Sequence, residues 1–191
     1  MMYTTKRNNL RANYTFAWGL TEYRRNHPVK DILAIDLRLC TGCRSCELAC
    51  SIAHTRSFNP KRSRIQILKE EVRNLVVPMV CLQCERPLCQ EACPNGAIVE
   101  NKHGVLYVDS EICIGCMNCV TACVYGGIAI DPVTRRAIKC DLCKGDPACA
   151  KACQYGAISL STSEAGGLNQ RRRGVVPAFR TLGIQVEEGR E

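Results

Sequence analysis

Large aromatic side chains are scarce in this chain. One tryptophan, three phenylalanines and six tyrosines make up 5% of its 191 residues. The hydrophobic content of 46% looks ordinary, but sixteen of those residues are cysteine. Little hydrocarbon is therefore left to fill a core, and something else must hold the centre together. In a short, cysteine-rich chain the choices are disulfides, zinc or iron–sulfur clusters.

Long apolar runs are missing too. No stretch approaches the roughly 18 residues of a membrane span, and the opening "MMYTTKRNNLRANYTFAWGLTEYRRNHPVKD" lacks the apolar run of about 7–15 residues that a secretory signal needs. Arg24 and Arg25 suggest a twin-arginine leader, but the charged "NHPVKDILAIDLRLC" that follows speaks against one. These absences predict a cytoplasmic protein without a membrane span, in a compartment where reduced thiols bind metals more often than they form disulfides. There is no glycine-rich dinucleotide fingerprint and no acid–base or nucleophile constellation, so the sequence offers no catalytic residues.

What is present is a repeat. Cys40, Cys43, Cys46 and Cys50 stand in "CTGCRSCELAC"; Cys81, Cys84, Cys89 and Cys93 in "CLQCERPLCQEAC". Cys113, Cys116, Cys119 and Cys123 stand in "CIGCMNCVTAC"; Cys140, Cys143, Cys149 and Cys153 in "CDLCKGDPACAKAC". These quartets use every cysteine. Asp36 and Asp109 each precede the first cysteine of a quartet by four residues, and "CPNGAI", "CVYGGI" and "CQYGAI" share a glycine and an isoleucine at fixed offsets. Pro87 and Pro147 each stand two residues before a third cysteine. Quartets one and three are thus alike, as are two and four, which points to duplication of a two-quartet unit.

Between the quartets, Ala97–Asp109 and Ile128–Lys139 each read as strand, turn, strand. "ELACSIAH", "QEAC" and "VTAC" suit one or two helical turns apiece. The spacing suits iron and sulfide. Two-residue gaps let a loop wrap three corners of a cube, and Gly42 and Gly115 give the backbone room to approach. The fourth cysteine then points away, toward another cluster in the bacterial two-cluster pattern. Zinc favours paired C-x2-C units, which quartets two and four could supply alone but quartets one and three do not fit.

These residues resemble the bacterial-ferredoxin-like subunits that carry four 4Fe–4S clusters and serve molybdenum and tungsten oxidoreductases, including dimethyl sulfoxide reductase and formate-linked systems. "CTGCRSCELACS", "VCLQCERPLC" and the five-residue gap of quartet four look most like subunits paired with tungsten enzymes of the aldehyde oxidoreductase family; a benzoyl-CoA reductase-type complex is an alternative. The resemblance covers about Asp36 to Leu160. It implies an α+β, duplicated dicluster fold with short β-hairpins and short helices, and a non-catalytic relay of single electrons between a tungsten- or molybdenum-cofactor subunit and a flavin-containing or ferredoxin-type partner. It further implies four ligand sets: Cys40, Cys43, Cys46 with Cys153; Cys140, Cys143, Cys149 with Cys50; Cys81, Cys84, Cys89 with Cys123; and Cys113, Cys116, Cys119 with Cys93. Linear spacing alone does not choose this pairing over one with two and three with four. The proline that often follows the fourth cysteine in the family is kept only at Pro94; Ser51, Val124 and Gln154 replace it elsewhere. A stand-alone enzyme with an open cluster is the competing class, but complete quartets leave no vacant iron.

The formal charge of +8 invites a nucleic-acid reading. Sixteen thiolates and four oxidised cubanes bring the assembly to about neutral, and one electron per cluster to about −4, so no nucleic-acid partner is expected. Arg38, Arg44, Lys139, Lys144 and Lys151 lie close to ligands in sequence and are expected to offset cluster charge. Residues 1–35 hold five of the ten aromatics and read as a docking arm, residues 36–160 as the four-cluster domain, and 161–191 as a linker and tail. Self-association is compatible with this layout. His27, His54 and His103 read as loop residues, and "RSFNPKRSR" (Arg56–Arg64) as a solvated insertion.

Overall fold

Antiparallel two-stranded ribbons frame the cysteine quartets: three join consecutive strands, and the fourth joins the first described strand to the last. The structure, a computed structural model, describes residues 30–162; the arm aromatics, His27 and the tail lie outside the described residues. Strand β1 (Asp31–Ile35) precedes quartet one and pairs with β8 (Ile158–Thr162), which follows quartet four. Strand β4 (Ile98–Glu100) follows quartet two and pairs with β5 (Leu106–Val108), which precedes quartet three. The two units match in detail. Asp36 donates its backbone N–H to Ala157, and Asp109 donates its own to Ala97. Each aspartate then accepts, through Oδ1, the backbone N–H two residues on, at Arg38 and Glu111. This Asx-type turn explains the acid four residues before the sulfur.

The two expected hairpins form: β4 with β5, and β6 (Ile128–Ile130) with β7 (Ala137–Lys139). A third hairpin, β2 (Ile65–Glu70) with β3 (Leu75–Val80), is absent from the sequence reading. Its signal is the alternation that buries Ile65 and Ile67 while exposing Gln66 and Leu68. Helix α1 (Ser45–Thr55) runs eleven residues, about three turns rather than one or two. Helices α2 (Leu88–Glu91), α3 (Asn118–Ala122) and α4 (Ala148–Lys151) are single turns.

Arg56–Arg64 is not simply solvated. Ser63 is fully buried, and Arg62 reaches across the fold to grip Asp131 through Nε and Nη2 at 3.0 and 2.8 Å. Arg64 pairs with Asp141 at 2.5 Å. The arginines that make this segment look polar are its tethers to the β6–β7 hairpin and to quartet four.

The core has two parts, and both contain sulfur. Leu33, Ile65, Ile67, Val80 and Leu142 pack with Cys46, Cys50, Cys81, Cys140 and Cys149; Ile98, Leu106, Ile128 and Ala137 pack with Cys119. No described aromatic joins either. Glu47 fastens α1 to β2: it is 3% exposed, and its Oε1 accepts the Ile67 N–H. Glu47→Ala should destabilise the fold by about 1–3 kcal/mol, because it strands that buried donor. Denaturant titration should show the loss, with Glu47→Gln retaining most of the stability.

Candidate metal centres

Every quartet begins with the same bend. The residue before the second cysteine is left-handed in all four: Gly42 at φ +70°, Gln83 at +51°, Gly115 at +73° and Leu142 at +58°. Glycine adopts this at no steric cost. In quartets two and four a larger side chain carries strain of about 1–2 kcal/mol and anchors itself. Gln83 accepts from Leu106 N and donates to the carbonyls of Leu106 and Cys140, while Leu142 is 1% exposed in the core. At Gly115 there is also no room, because a Cβ would lie 2.2 Å from the Arg135 carbonyl oxygen.

The ribbons bring the quartets together as follows. Cys153 joins Cys40, Cys43 and Cys46 around one cavity, and Cys93 joins Cys113, Cys116 and Cys119 around another. Burial pushes the Cys149 thiol up to about 12, with Cys50 and Cys143 the next contributors. Burial also raises the Cys84 thiol, followed by Cys81 and Cys123. Further proximities link these groups: Cys46 also bears on Cys149, and Cys81 on Cys140. Cys43 and Cys116 are the exposed cysteines; the other fourteen are buried or half-buried.

Backbone amides already point at several sulfurs. Ala97 N–H donates to Cys93 Sγ at 3.2 Å and Gly127 N–H to Cys123 Sγ at 3.3 Å. Arg64 N–H donates to Cys50 Sγ, and Ala137 N–H to Cys113 Sγ. Such donors favour anionic sulfur.

Residues 72–163 match the family model described as a 4Fe-4S dicluster domain. Over 109 residues the chain is 37% identical to YsaA of Escherichia coli (strain K12), covering 53% of this chain and 68% of that protein. The chain belongs to this 4Fe–4S dicluster family. It is 35% identical over 111 residues to one of the subunits of tetrathionate reductase from Salmonella typhimurium (strain LT2), a match that spans 55% of this chain and 44% of the relative. It is 40% identical over 111 residues to electron transport protein HydN of Escherichia coli (strain K12), covering 53% and 62% respectively. The chain therefore spans less than two thirds of the length of either of these two relatives.

The dicluster match includes quartets two to four and stops short of quartet one, which the β1–β8 pairing brings alongside quartet four. The donor set fits the group that names the family. Soft thiolates select iron–sulfur clusters, and the described cysteines are all free thiols gathered in small sets and met by amide donors.

Iron must displace protons that burial holds tightly. Burial raises Cys46 to about 12 and Cys89 to about 11. A thiol whose pKa the fold raises keeps its proton through neutral pH, so ligation releases that proton and gains as pH rises. Iron incorporated per chain during anaerobic reconstitution should therefore be higher at pH 8.5 than at pH 6.5. Equal incorporation at both would refute the burial argument.

His54 is a residue that sequence reasoning misplaced. It sits half-buried near the end of α1, with Nε2 3.4 Å from Cys143 Sγ and 3.6 Å from Asp141 Oδ1. Desolvation lowers its pKa, since burial disfavours the cation. Its spacing of four from Cys50 is the one available sequence signal, placing both on neighbouring helical turns. His103 lies in an exposed turn, as its loop setting suggests.

Proposed function

We propose that this chain is a non-catalytic electron-transfer subunit. It passes single electrons through a row of four 4Fe–4S clusters, between a catalytic partner with a tungsten or molybdenum cofactor and a second redox partner of flavin or ferredoxin type. The observation that carries this reading is the pairing of β1 with β8 and of β4 with β5, which sets quartet one against four and two against three.

On that pairing the ligand sets are Cys40, Cys43, Cys46, Cys153; Cys140, Cys143, Cys149, Cys50; Cys81, Cys84, Cys89, Cys123; and Cys113, Cys116, Cys119, Cys93. In this order they form the row, supported by the closeness of Cys46 to Cys149 and of Cys81 to Cys140. Each bound cluster supplies a redox couple whose potential is set by hydrogen bonds, burial and nearby charge. The polypeptide supplies insulation and position. Exposed Cys43 and Cys116 mark the two ends, with Leu39 and Tyr155 exposed beside one and Ile114 and Met117 beside the other. Partners, or a second copy of this chain, dock at these ends.

The relatives' names support the assignment, since one is a subunit of a reductase and another an electron transport protein. Tungsten is favoured by the resemblance in "CTGCRSCELACS" and "VCLQCERPLC". The residues ahead of β1 serve as a docking arm and those after β8 as linker and tail. Strands β1 (Asp31–Ile35) and β8 (Ile158–Thr162) pair with each other and so belong to the four-cluster unit, not to the expected 1–35 arm and 161–191 tail. The protein works in the cytoplasm; no described helix is long and apolar enough to cross a membrane.

Anaerobically isolated protein should contain about sixteen irons per chain, and paramagnetic resonance during reductive titration should resolve four one-electron transitions. Folded protein with about eight irons would overturn the four-cluster row. Native co-purification should bring down a tungsten- or molybdenum-containing subunit.

A further inference from the structure

Most basic side chains near the quartets already have carboxylate partners. Arg38 pairs with Asp36, Arg62 with Asp131, Arg64 with Asp141 and Lys151 with Asp146. Lys139 differs. It is 2% exposed, the largest of the fully buried side chains, and no carboxylate lies within ion-pair distance of it among the described residues. Its Nζ donates to the Leu106 carbonyl at 2.7 Å, and that oxygen also accepts from Gln83 Nε2 at 3.2 Å. Gln83 belongs to the loop between Cys81 and Cys84, so the ammonium sits against quartet two although Lys139 adjoins Cys140 of quartet four in sequence. A neutral carbonyl does not offset a buried cation, and proteins bury charge only beside a counter-charge.

We propose that Lys139 is a positioning residue for charge: its buried ammonium is the counter-ion of the cluster held by Cys81, Cys84, Cys89 and Cys123, and it raises that cluster's reduction potential above those of its neighbours in the row. The inference rests on the four-cluster reading above. Reduction adds one negative charge to the cluster, and a fixed cation nearby favours the reduced form over the oxidised one. Cys81, the first sulfur of that quartet, packs in the same buried cluster as Cys140, the chain neighbour of Lys139. A higher potential at an inner site makes it the resting place of the first electron. That electron is then held away from the exposed ends at Cys43 and Cys116.

The test is potentiometric titration of full-length, anaerobically prepared holoprotein, followed by paramagnetic resonance. In Lys139→Met, iron should stay at the wild-type level while one of four midpoints falls. At the wild-type midpoint the reduced-to-oxidised ratio of that cluster should drop about tenfold, equivalent to about 59 mV for a one-electron couple. Lys139→Gln, which keeps a donor for Leu106, should behave like the methionine variant, and Lys139→Arg like wild type. Four unmoved midpoints with iron retained would overturn the inference, as would an equal shift in the arginine variant. Loss of the cluster from both neutral variants, with retention in Lys139→Arg, would assign Lys139 to assembly and also overturn it. Wild type with fewer than four transitions would count against the relay reading instead.

Discussion

Cys140→Ser should yield about tenfold less folded protein than wild type, and whatever folds should hold about twelve irons per chain rather than sixteen. Cys140 stands at the meeting point of the inner ligand groups. It is 7% exposed, packs in the larger core cluster and holds Gln83 through its carbonyl at 2.8 Å. Serine offers a harder oxygen in place of a soft sulfur ligand, and its hydroxyl would be buried with no partner, at a cost of about 1–3 kcal/mol. The sulfurs of this core replace the aromatics that a larger hydrophobic interior would use, so losing the cluster removes folding free energy as well as a redox centre. Soluble yield and iron per chain are the measurements. Wild-type yield with an unchanged iron content would remove the basis for the metal-supported core. Cys116→Ser is the contrasting case: on an exposed corner, it should cost one cluster with a smaller loss of yield.

Gly127→Ala should prove far more damaging than the repeat suggests. The equivalent residue is Ala97 after quartet two and Ala157 after quartet four, each almost fully buried, so comparison of the repeats recommends alanine. At Gly127, however, a Cβ would lie 2.6 Å from Cys81 Cα, 2.7 Å from its nitrogen and 3.0 Å from the Val80 carbonyl carbon. All three are backbone atoms, and none can rotate away. The strain should reach about 3 kcal/mol, the upper end for overpacking, and it falls on the strand that delivers Cys81. For a chain of this size the midpoint of thermal bleaching should drop by about 6–12 °C. Gly156→Ala meets no atom within 4 Å and incurs only the left-handed penalty of its φ of +65°, about 1–2 kcal/mol. Equal midpoints for the two variants would show that the close approach at Cys81 is relieved by backbone movement.

These two cases separate what can be read along the chain from what cannot. The cysteine spacing, Gly42 and Gly115 in the first bends, the Asp36 and Asp109 turns and the hairpins around Ala97–Asp109 and Ile128–Lys139 are local. Each follows from the stereochemistry of a few neighbouring residues. The β2–β3 hairpin was legible in principle through its alternation, although the adjoining basic segment masks it. Arg62 and Arg64 look solvated because their partners, Asp131 and Asp141, lie some seventy residues away in sequence.

By itself the sequence determined that the centre of this protein is sulfur rather than aromatic hydrocarbon, and that its unit is a duplicated pair of quartets. Tertiary structure decided which quartets meet, which glycine has no room for a methyl group, and which basic residue stands buried beside the sulfurs without a carboxylate. The reason is physical. Spacing fixes the shape of one loop, but the strands that return to pair with β1 and β4 decide which loops face each other, and charge and crowding depend on what faces what.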